Sequence, residues 1–380
     1  MRYLFILNPG SKGGKSEKKF ERLFEILDSE GIDYDYKITS TLDEAFDLSL
    51  QANRSSYDVI VAVGGDGTIN KVLNGFFDAQ GNRLSNARMG VVYTGTSPDF
   101  CKSYCIPIEL EAALNVLLRN KSSKIQIGRV CLANNYSNEY DDRPVDDSTH
   151  FHIRYFACCA NIGLGAELAR LANSGIRKKW GDFFGTLLSL GRILTSYKPQ
   201  DFTLCINTEL THPKSPVSVG DGCQRVVKSS MDSTNIQLGL NPPLNEVSFN
   251  GAKKRIEKVH NISIGRTFYI ASGIKVKNTL KQGDNSFYML TVKNLRVKDW
   301  IKAIKAIYSG KQIKNDDIVS LDYIKSIEVY GNRLSPEVEF DGDPAGFLPC
   351  RIEMAKDTLD LICGIDETCE GYCEYRKKHH

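Results

Sequence analysis

The stretch Gly64-Gly65-Asp66-Gly67-Thr68 combines three glycines, one carboxylate and one hydroxyl directly after the apolar run Val59-Ile60-Val61-Ala62-Val63. The helix-like residues Ile69-Asn70-Lys71-Val72-Leu73 follow at once. A strand that ends in glycines and opens into a helix suits a phosphate. Backbone N–H groups can approach the anion where no Cβ intervenes, and the helix N-terminus adds unpaired donors and a favourable dipole. Asp66 repels phosphate oxygens unless a divalent cation or a donating hydroxyl lies between them. A tight strand-to-helix turn with an incidental Asp is the plainer alternative.

Two other loops have similar chemistry. Asn8-Pro9-Gly10-Ser11-Lys12-Gly13-Gly14-Lys15-Ser16 follows the first apolar run, but Pro9 stands where a G-x-x-x-x-G-K-[ST] loop needs its first glycine. It still offers N–H groups, the Ser11 hydroxyl and basic side chains, or it is an exposed basic turn. Thr94-Gly95-Thr96-Ser97-Pro98-Asp99 ends a later strand, with hydroxyls suited to ribose or phosphate and an Asp able to cap the loop. At a distance lies Asp341-Gly342-Asp343, which taken alone reads as a surface β-turn.

These loops need a scaffold. Strand patterns at 2–7, 34–39, 58–63 and 89–93 alternate with helical patterns at 16–29, 42–53 and 69–79, which predicts a parallel sheet covered on both faces. Ligands of such sheets bind beyond the carboxyl ends of the strands, where all three loops fall. From about residue 125 strand patterns dominate, at 125–131, 151–158, 201–207, 226–231, 259–264, 267–271, 286–292, 325–330, 336–340 and 348–354. Helical patterns interrupt them at 165–172, 180–196 and 298–308, and 208–225 and 241–257 read as loops. The expected fold is an α/β domain with a parallel sheet, followed by a mostly antiparallel β-sandwich. The expected divisions are 1–124, with the C-terminal segment a candidate to complete that sheet, then 125–355, then a polar Cys-containing tail over 356–380.

Composition narrows the function classes. With 380 residues the chain suits two domains, and a net charge of +3 provides no global field for nucleic acid. The N-terminal apolar run reaches Asn8-Pro9 too soon for a signal peptide. No run attains the roughly 18–20 apolar residues of a membrane span. Phe183 to Gly191 comes nearest and reads as a core helix or a lipid-facing surface, and the Lys and Arg residues of 170–198 leave peripheral membrane contact open. Eleven cysteines, an odd number without CxxC spacing, argue against a disulfide framework. Cys158-Cys159 reads as core packing, while Cys363, Cys369 and Cys373 cluster late without an assigned role.

Asn8-Pro9, Gly64 to Thr68, Gly95-Thr96 with Asp99-Phe100, and Asp341-Gly342-Asp343 resemble, in order and spacing, the diacylglycerol kinase catalytic family, which includes sphingosine, ceramide and bacterial lipid kinases. The resemblance covers most of 1–355 and is strongest over the first 110 residues. It implies an α/β nucleotide-binding domain, a β-rich lipid-binding domain and an active site between them. Asn8, Ser11, Gly64, Gly65, Asp66, Gly67, Thr68 and Thr96 then fall on the nucleotide side, joined by Thr94 and Gly95 of the same loop. Asp341 matches the family's general base, and Asp66 and Asp343 become the magnesium residues, Asp343 standing where Glu is usual. Asn161 to Glu167 resembles a glycine-rich segment at the start of the second domain, or is a simple strand-to-helix turn.

Three departures stand out. Ser97-Pro98 replaces a usual Gly-Asn, Lys12 replaces a usual glycine, and Lys277 to Gly283 lacks the acidic residues that bacterial members place around a structural magnesium. The expected activity is transfer of the γ-phosphoryl group of ATP, with Mg2+, to a hydroxyl of diacylglycerol, a sphingoid base or another amphipathic alcohol. The expected location is cytoplasmic, with peripheral contact at the inner membrane surface and a homodimer left open. A kinase of soluble polyols or nucleoside-like metabolites and a catalytically inactive nucleotide- or lipid-binding regulator are the rivals.

Overall fold

The computed structural model describes residues 1–10, 17–133, 151–171, 197–208, 252–270, 274–281, 283–296, 299, 309–331, 337–341 and 343–364. The first half runs β1 (Tyr3–Leu7), α1 (Glu17–Ser29), β2 (Tyr34–Ile38), α2 (Glu44–Asn53), β3 (Val59–Gly64), α3 (Asp66–Asn74) and β4 (Arg88–Tyr93). Then come α4 (Asp99–Ser103), α5 (Leu110–Arg119) and β5 (Ser122–Ile125). Strands β1 and β3 are buried at every position, as uninterrupted apolar runs require when helices cover both faces. Alternate residues serve two cores. Leu4, Ile6, Ile60 and Ala62 meet Val72, Leu73 and Phe76 on one face, while Phe5, Leu7, Val61 and Val63 meet Leu23, Leu27, Leu114 and Leu117 on the other.

The sheet has the order β2-β1-β3-β4-β18-β5, where β18 is Leu359–Ile362. Leu361 pairs parallel with Met89 of β4, and β5 lies antiparallel to β18. The segment after 356, read above as a polar tail, therefore supplies a buried strand: Leu359 and Leu361 are fully covered. Helix α3 begins at Asp66, three residues before its apolar periodicity, because Gly65 leaves the strand in an extended conformation and caps the first turn.

The second half contains β6 (Gly128–Ala133), β7 (Phe151–Phe156), β8 (Cys159–Gly163), α6 (Leu164–Leu171), β9 (Gln200–Asn207) and β10 (Ala252–Gly265). It continues with a small ribbon of β11 (Tyr269–Ile270) and β12 (Ile274–Lys275), then β13 (Phe287–Lys293), β14 (Val319–Ile324), β15 (Ser326–Tyr330), β16 (Glu337–Phe340) and β17 (Asp343–Met354). The expected sandwich is corrected. Following the pairings β10–β8–β16–β17–β15–β9 returns to β10, so one antiparallel sheet closes into a six-stranded ring. Closure depends on the length of β10. Its first part pairs with β9, its register shifts between Ile256 and Val259, and its second part pairs with β8 and β13. Ala160, Ile162, Leu204, Ile262, Val338 and Ile352 belong to the core that fills this half.

The loop expected over 241–257 is thus strand from Ala252 onward. The expected strand at 226–231 and the helix at 180–196 lie outside the described residues, as does the expected helix at 298–308 apart from residue 299. The two halves are stapled together. Arg129 of β6, held within its own half by Glu353 at 2.5 Å, donates to Ala79 O, Tyr155 Oη donates to Asp78 O, and the rings of Phe77 and Tyr155 stack at 4.8 Å. Among the described residues no helix is long and apolar enough to cross a membrane.

Candidate active site

Parallel pairing brings the carboxyl ends of β1, β3 and β4 side by side, and the loops that follow touch. Asn8 N donates to Val63 O at 2.9 Å, and Thr94 N to Gly64 O at 2.9 Å. Asn8 Nδ2 donates to Thr68 Oγ1 at 2.9 Å, which ties the first loop to the first turn of α3. Its Oδ1 accepts from Gly10 N at 3.0 Å, closing the turn after β1.

The glycines have separate jobs. A Cβ on Gly64 would lie 2.4 Å from Thr68 Oγ1, so this glycine makes room for the threonine. A Cβ on Gly95 would lie 2.6 Å from Gly65 Cα, so the second and third loops meet backbone to backbone. At Gly67 the nearest atom is Leu42 Cδ2 at 3.5 Å, ordinary contact that leaves the start of α3 open. Of the expected nucleotide-side residues, Asn8, Gly64, Gly65, Thr68, Thr94 and Gly95 are joined by these contacts. Gly67 is the second residue of α3, and Thr96 is exposed on the third loop. Ser11 lies outside the described residues.

Asp66 opens α3 and points into a group of acids. Tyr93 Oη is 3.5 Å from its Oδ2, while its Oδ1 is sealed from solvent without a hydrogen-bond partner. Burial raises its pKa well above the usual carboxylate range, and the charges of Asp99 and Asp341 raise it further. An orphaned carboxylate oxygen amid like charges is the environment a divalent cation relieves. Among the described residues no group of three or more His, Cys, Asp or Glu could form a complete metal cage. Magnesium does not need one, because it binds through one or two carboxylates together with phosphates and waters. The donor set fits the ion on that basis. Asp343 begins β17, and its side chain lies outside the described residues.

Asp341 occupies the tight turn from β16 to β17 with φ of 50°, a conformation Asp tolerates and Asp-Gly hairpins favour. The turn faces the first domain. Asp341 N donates to Cys159 O at 3.1 Å. Its Oδ1 accepts from Cys158 N at 3.0 Å and Cys159 N at 3.1 Å, and its Oδ2 from Ala157 N at 2.9 Å. The fourth donor is Asn70 Nδ2 of α3, at 3.2 Å from Oδ2. Withdrawal from water raises the Asp341 pKa, and these four donors oppose the rise.

Asn70 also donates to Tyr155 O at 2.9 Å, and Asn74 Nδ2 donates to Asn70 Oδ1 at 3.0 Å and to Tyr155 O at 2.9 Å. Tyr155 N donates to Asn74 Oδ1 at 2.8 Å. Neither asparagine was singled out from sequence. Their spacing was visible all the same: Asp66, Asn70 and Asn74 recur every four residues and share one face of α3. Asp99 likewise proves to be part of the acidic group around Asp66 and Tyr93.

The remaining motifs are structural on what is described. Asn161 donates to Glu339 at 2.8 Å and accepts from Ser263 at 2.5 Å, and Gly165 N donates to Asn261 Oδ1 at 2.8 Å, which fixes the turn from β8 into α6. Burial pushes the Cys158 and Cys159 thiols well above their usual range, leaving them inert as nucleophiles. Cys363 is buried, and Cys369 and Cys373 lie outside the described residues. So does Gln282, within the stretch read as lacking acidic metal ligands.

A parallel α/β sheet with glycine-rich loops at its carboxyl edge, set against a closed β-ring, defines the fold. The same fold is seen in a diacylglycerol kinase from Bacillus anthracis str. Sterne, at a TM-score of 0.57 and 17% identity over 95% of this chain and 96% of that one. Two further structures from that organism give TM-scores of 0.63 and 0.62, at 17% and 18% identity, over 95% of this chain and 97% of each. Residues 2–130 match the family described as Diacylglycerol kinase catalytic domain. Diacylglycerol kinases of Staphylococcus aureus strains bovine RF122 / ET3-1 and MRSA252 are each 33% identical over 132 residues. That match takes in 34% of this chain and 40% of the length of each relative.

Proposed function

We propose that the protein is an ATP-dependent kinase that phosphorylates a hydroxyl of a lipid or other amphipathic alcohol, diacylglycerol and sphingoid alcohols being the class to test first. The observation that carries the reading is the meeting of Gly65, Gly95 and the Asn8–Thr68 pair beside the orphaned Asp66 oxygen, with Asp341 tied to the same helix.

The first turn of α3 offers N–H donors to a triphosphate, and Gly67 and Gly95 keep side chains out of its way. Asp66 and Asp343 are the residues to hold magnesium, and bound Mg–ATP supplies the phosphoryl group and the divalent charge that such a transfer needs. Asp341 orients the acceptor hydroxyl and takes its proton, a task suited to a carboxylate whose pKa is raised. The β-ring domain shields the crevice from water and presents the alcohol.

A rival reading, a nucleotide-binding regulator without turnover, rests on one observation: all four acceptor positions of the Asp341 carboxylate are filled. The test is incubation with Mg–ATP and either a lipid extract or a pool of soluble polyols and nucleosides, with products identified by mass spectrometry. Phosphorylated lipid supports the proposal. Product only from the soluble pool shifts the substrate class, and ATP binding with no product from either pool overturns it in favour of the regulator.

A further inference from the structure

Resting on that kinase reading, the geometry points to Asn70 as a positioning residue: its amide is the one side chain through which nucleotide helix α3 sets the acceptor-activating carboxylate, and the donor that yields when the acceptor hydroxyl arrives.

Asp341 belongs to the second domain, and three of its four donors are backbone N–H groups of the turn from β7 to β8 in that same domain. Among the described residues, only Asn70 crosses to it from α3. The helix that begins with Asp66 thus reaches Asp341 one turn later, so the distance between the cation-holding acid and the alcohol-activating acid is fixed by helix geometry instead of by domain packing alone.

The four donors are not equivalent. Those from Ala157, Cys158 and Cys159 are bound into the chain at 2.9, 3.0 and 3.1 Å, whereas Asn70 stands at 3.2 Å and is shared with Tyr155 O at 2.9 Å. An alcohol that gives its hydroxyl proton to Asp341 needs a free lone pair on one carboxylate oxygen. Oδ2 is the oxygen that can provide it cheaply. If Asn70 releases it, one amide N–H keeps its bond to Tyr155 O, the other turns to the oxygen of the incoming hydroxyl, and the amide oxygen stays held by Asn74. No buried polar group is orphaned by the exchange, which is the usual obstacle to breaking such a bond.

The test compares Asn70→Ala, the isosteric Asn70→Asp and, as control, Tyr155→Phe. The control removes a different bond between the halves, from Tyr155 Oη to Asp78 O, and leaves the backbone bonds in place. We expect kcat to fall at least tenfold in N70A and further in N70D, where an acceptor replaces the donor facing Asp341. KM and Kd for ATP should stay within about twofold, and Y155F should keep its kcat while melting earlier. In parallel, urea midpoints of N70A, D341N and the double variant should be non-additive, which reads the contact without any turnover. Wild-type kcat in N70A, or equal losses of kcat in N70A and Y155F, overturns the role. Additive urea midpoints overturn it also where no turnover is found. A wild-type protein that phosphorylates no alcohol, with non-additive midpoints, sinks the kinase reading and leaves the Asn70 contact standing.

Discussion

Gly95→Ala tests the crevice at its narrowest point. The new Cβ would stand 2.6 Å from Gly65 Cα and 2.6 Å from Tyr93 Oη, so backbone blocks it on one side and a buried ring on the other. Carbon atoms pack at about 3.5–4.0 Å. The third loop must therefore retreat from the second by about 1 Å, and overpacking of this kind costs about 1–3 kcal/mol. The same retreat moves the Thr94 backbone bond to Gly64 and pulls the start of α3 away from any phosphate it holds. Gly67→Ala is the matched comparison. Its Cβ meets only Leu42 at 3.5 Å, so it fits, and restricting the unfolded chain should add about 0.4–1 kcal/mol of stability.

Urea unfolding and calorimetric titration with Mg–ATP read the pair. G95A should lose stability by the stated amount and bind nucleotide at least tenfold more weakly. G67A should be as stable as the wild type or more so, yet also bind nucleotide more weakly if phosphate passes over α3. A G95A protein with wild-type stability and affinity would refute the close approach of the loops. A G67A protein that binds Mg–ATP normally would move the phosphates elsewhere.

Three further outcomes follow from burial and charge. Asp66→Asn should stabilise the protein at pH 7 without magnesium, because the folded pKa of Asp66 lies above the usual value of 3.8 and ionisation in the fold is opposed; melting curves with and without Mg–ATP should show that gain together with loss of the nucleotide-induced shift. His260 is buried, and its pKa is lowered from 6.5, so the fold favours the neutral ring; stability is intact above pH about 6.5 and declines as the pH falls below it, a slope that His260→Gln should flatten in urea titrations. Arg351→Met leaves Glu328 buried at 5% exposure without its guanidinium partner and should cost about 3–5 kcal/mol, whereas the paired change with Glu328→Leu should recover most of that in the same assay.

The first domain was legible because its strands are continuous apolar runs and its helices carry clean periodicity, as Phe20, Leu23 and Leu27 show by meeting one core. The second was less so. In β10 the run Lys253-Lys254-Arg255-Ile256-Glu257 exposes all but one residue, so it lacks the alternation that marks a strand, and the ring closes through it. Strand β18 is four residues long and owes its place to the vacant edge of β4, hundreds of residues earlier in the chain, which no local pattern reports. At the site, residue types revealed the glycine loops and Asp66. They could not reveal that Asn70 and Asn74 meet Tyr155 and Asp341, since that depends on how the halves dock. The Asp-Gly turn was visible as a turn, and only the fold brings its carboxylate to α3.

The account stands on one crevice serving both nucleotide and alcohol. The most direct measurement compares wild type and Asp341→Ala for phosphorylated lipid formed from Mg–ATP and for ATP affinity in the same preparation. The account predicts product from the wild type, a loss of at least a hundredfold in D341A, and nucleotide Kd within about threefold. Undiminished product from D341A, or loss of ATP binding as large as the loss of turnover, would contradict it.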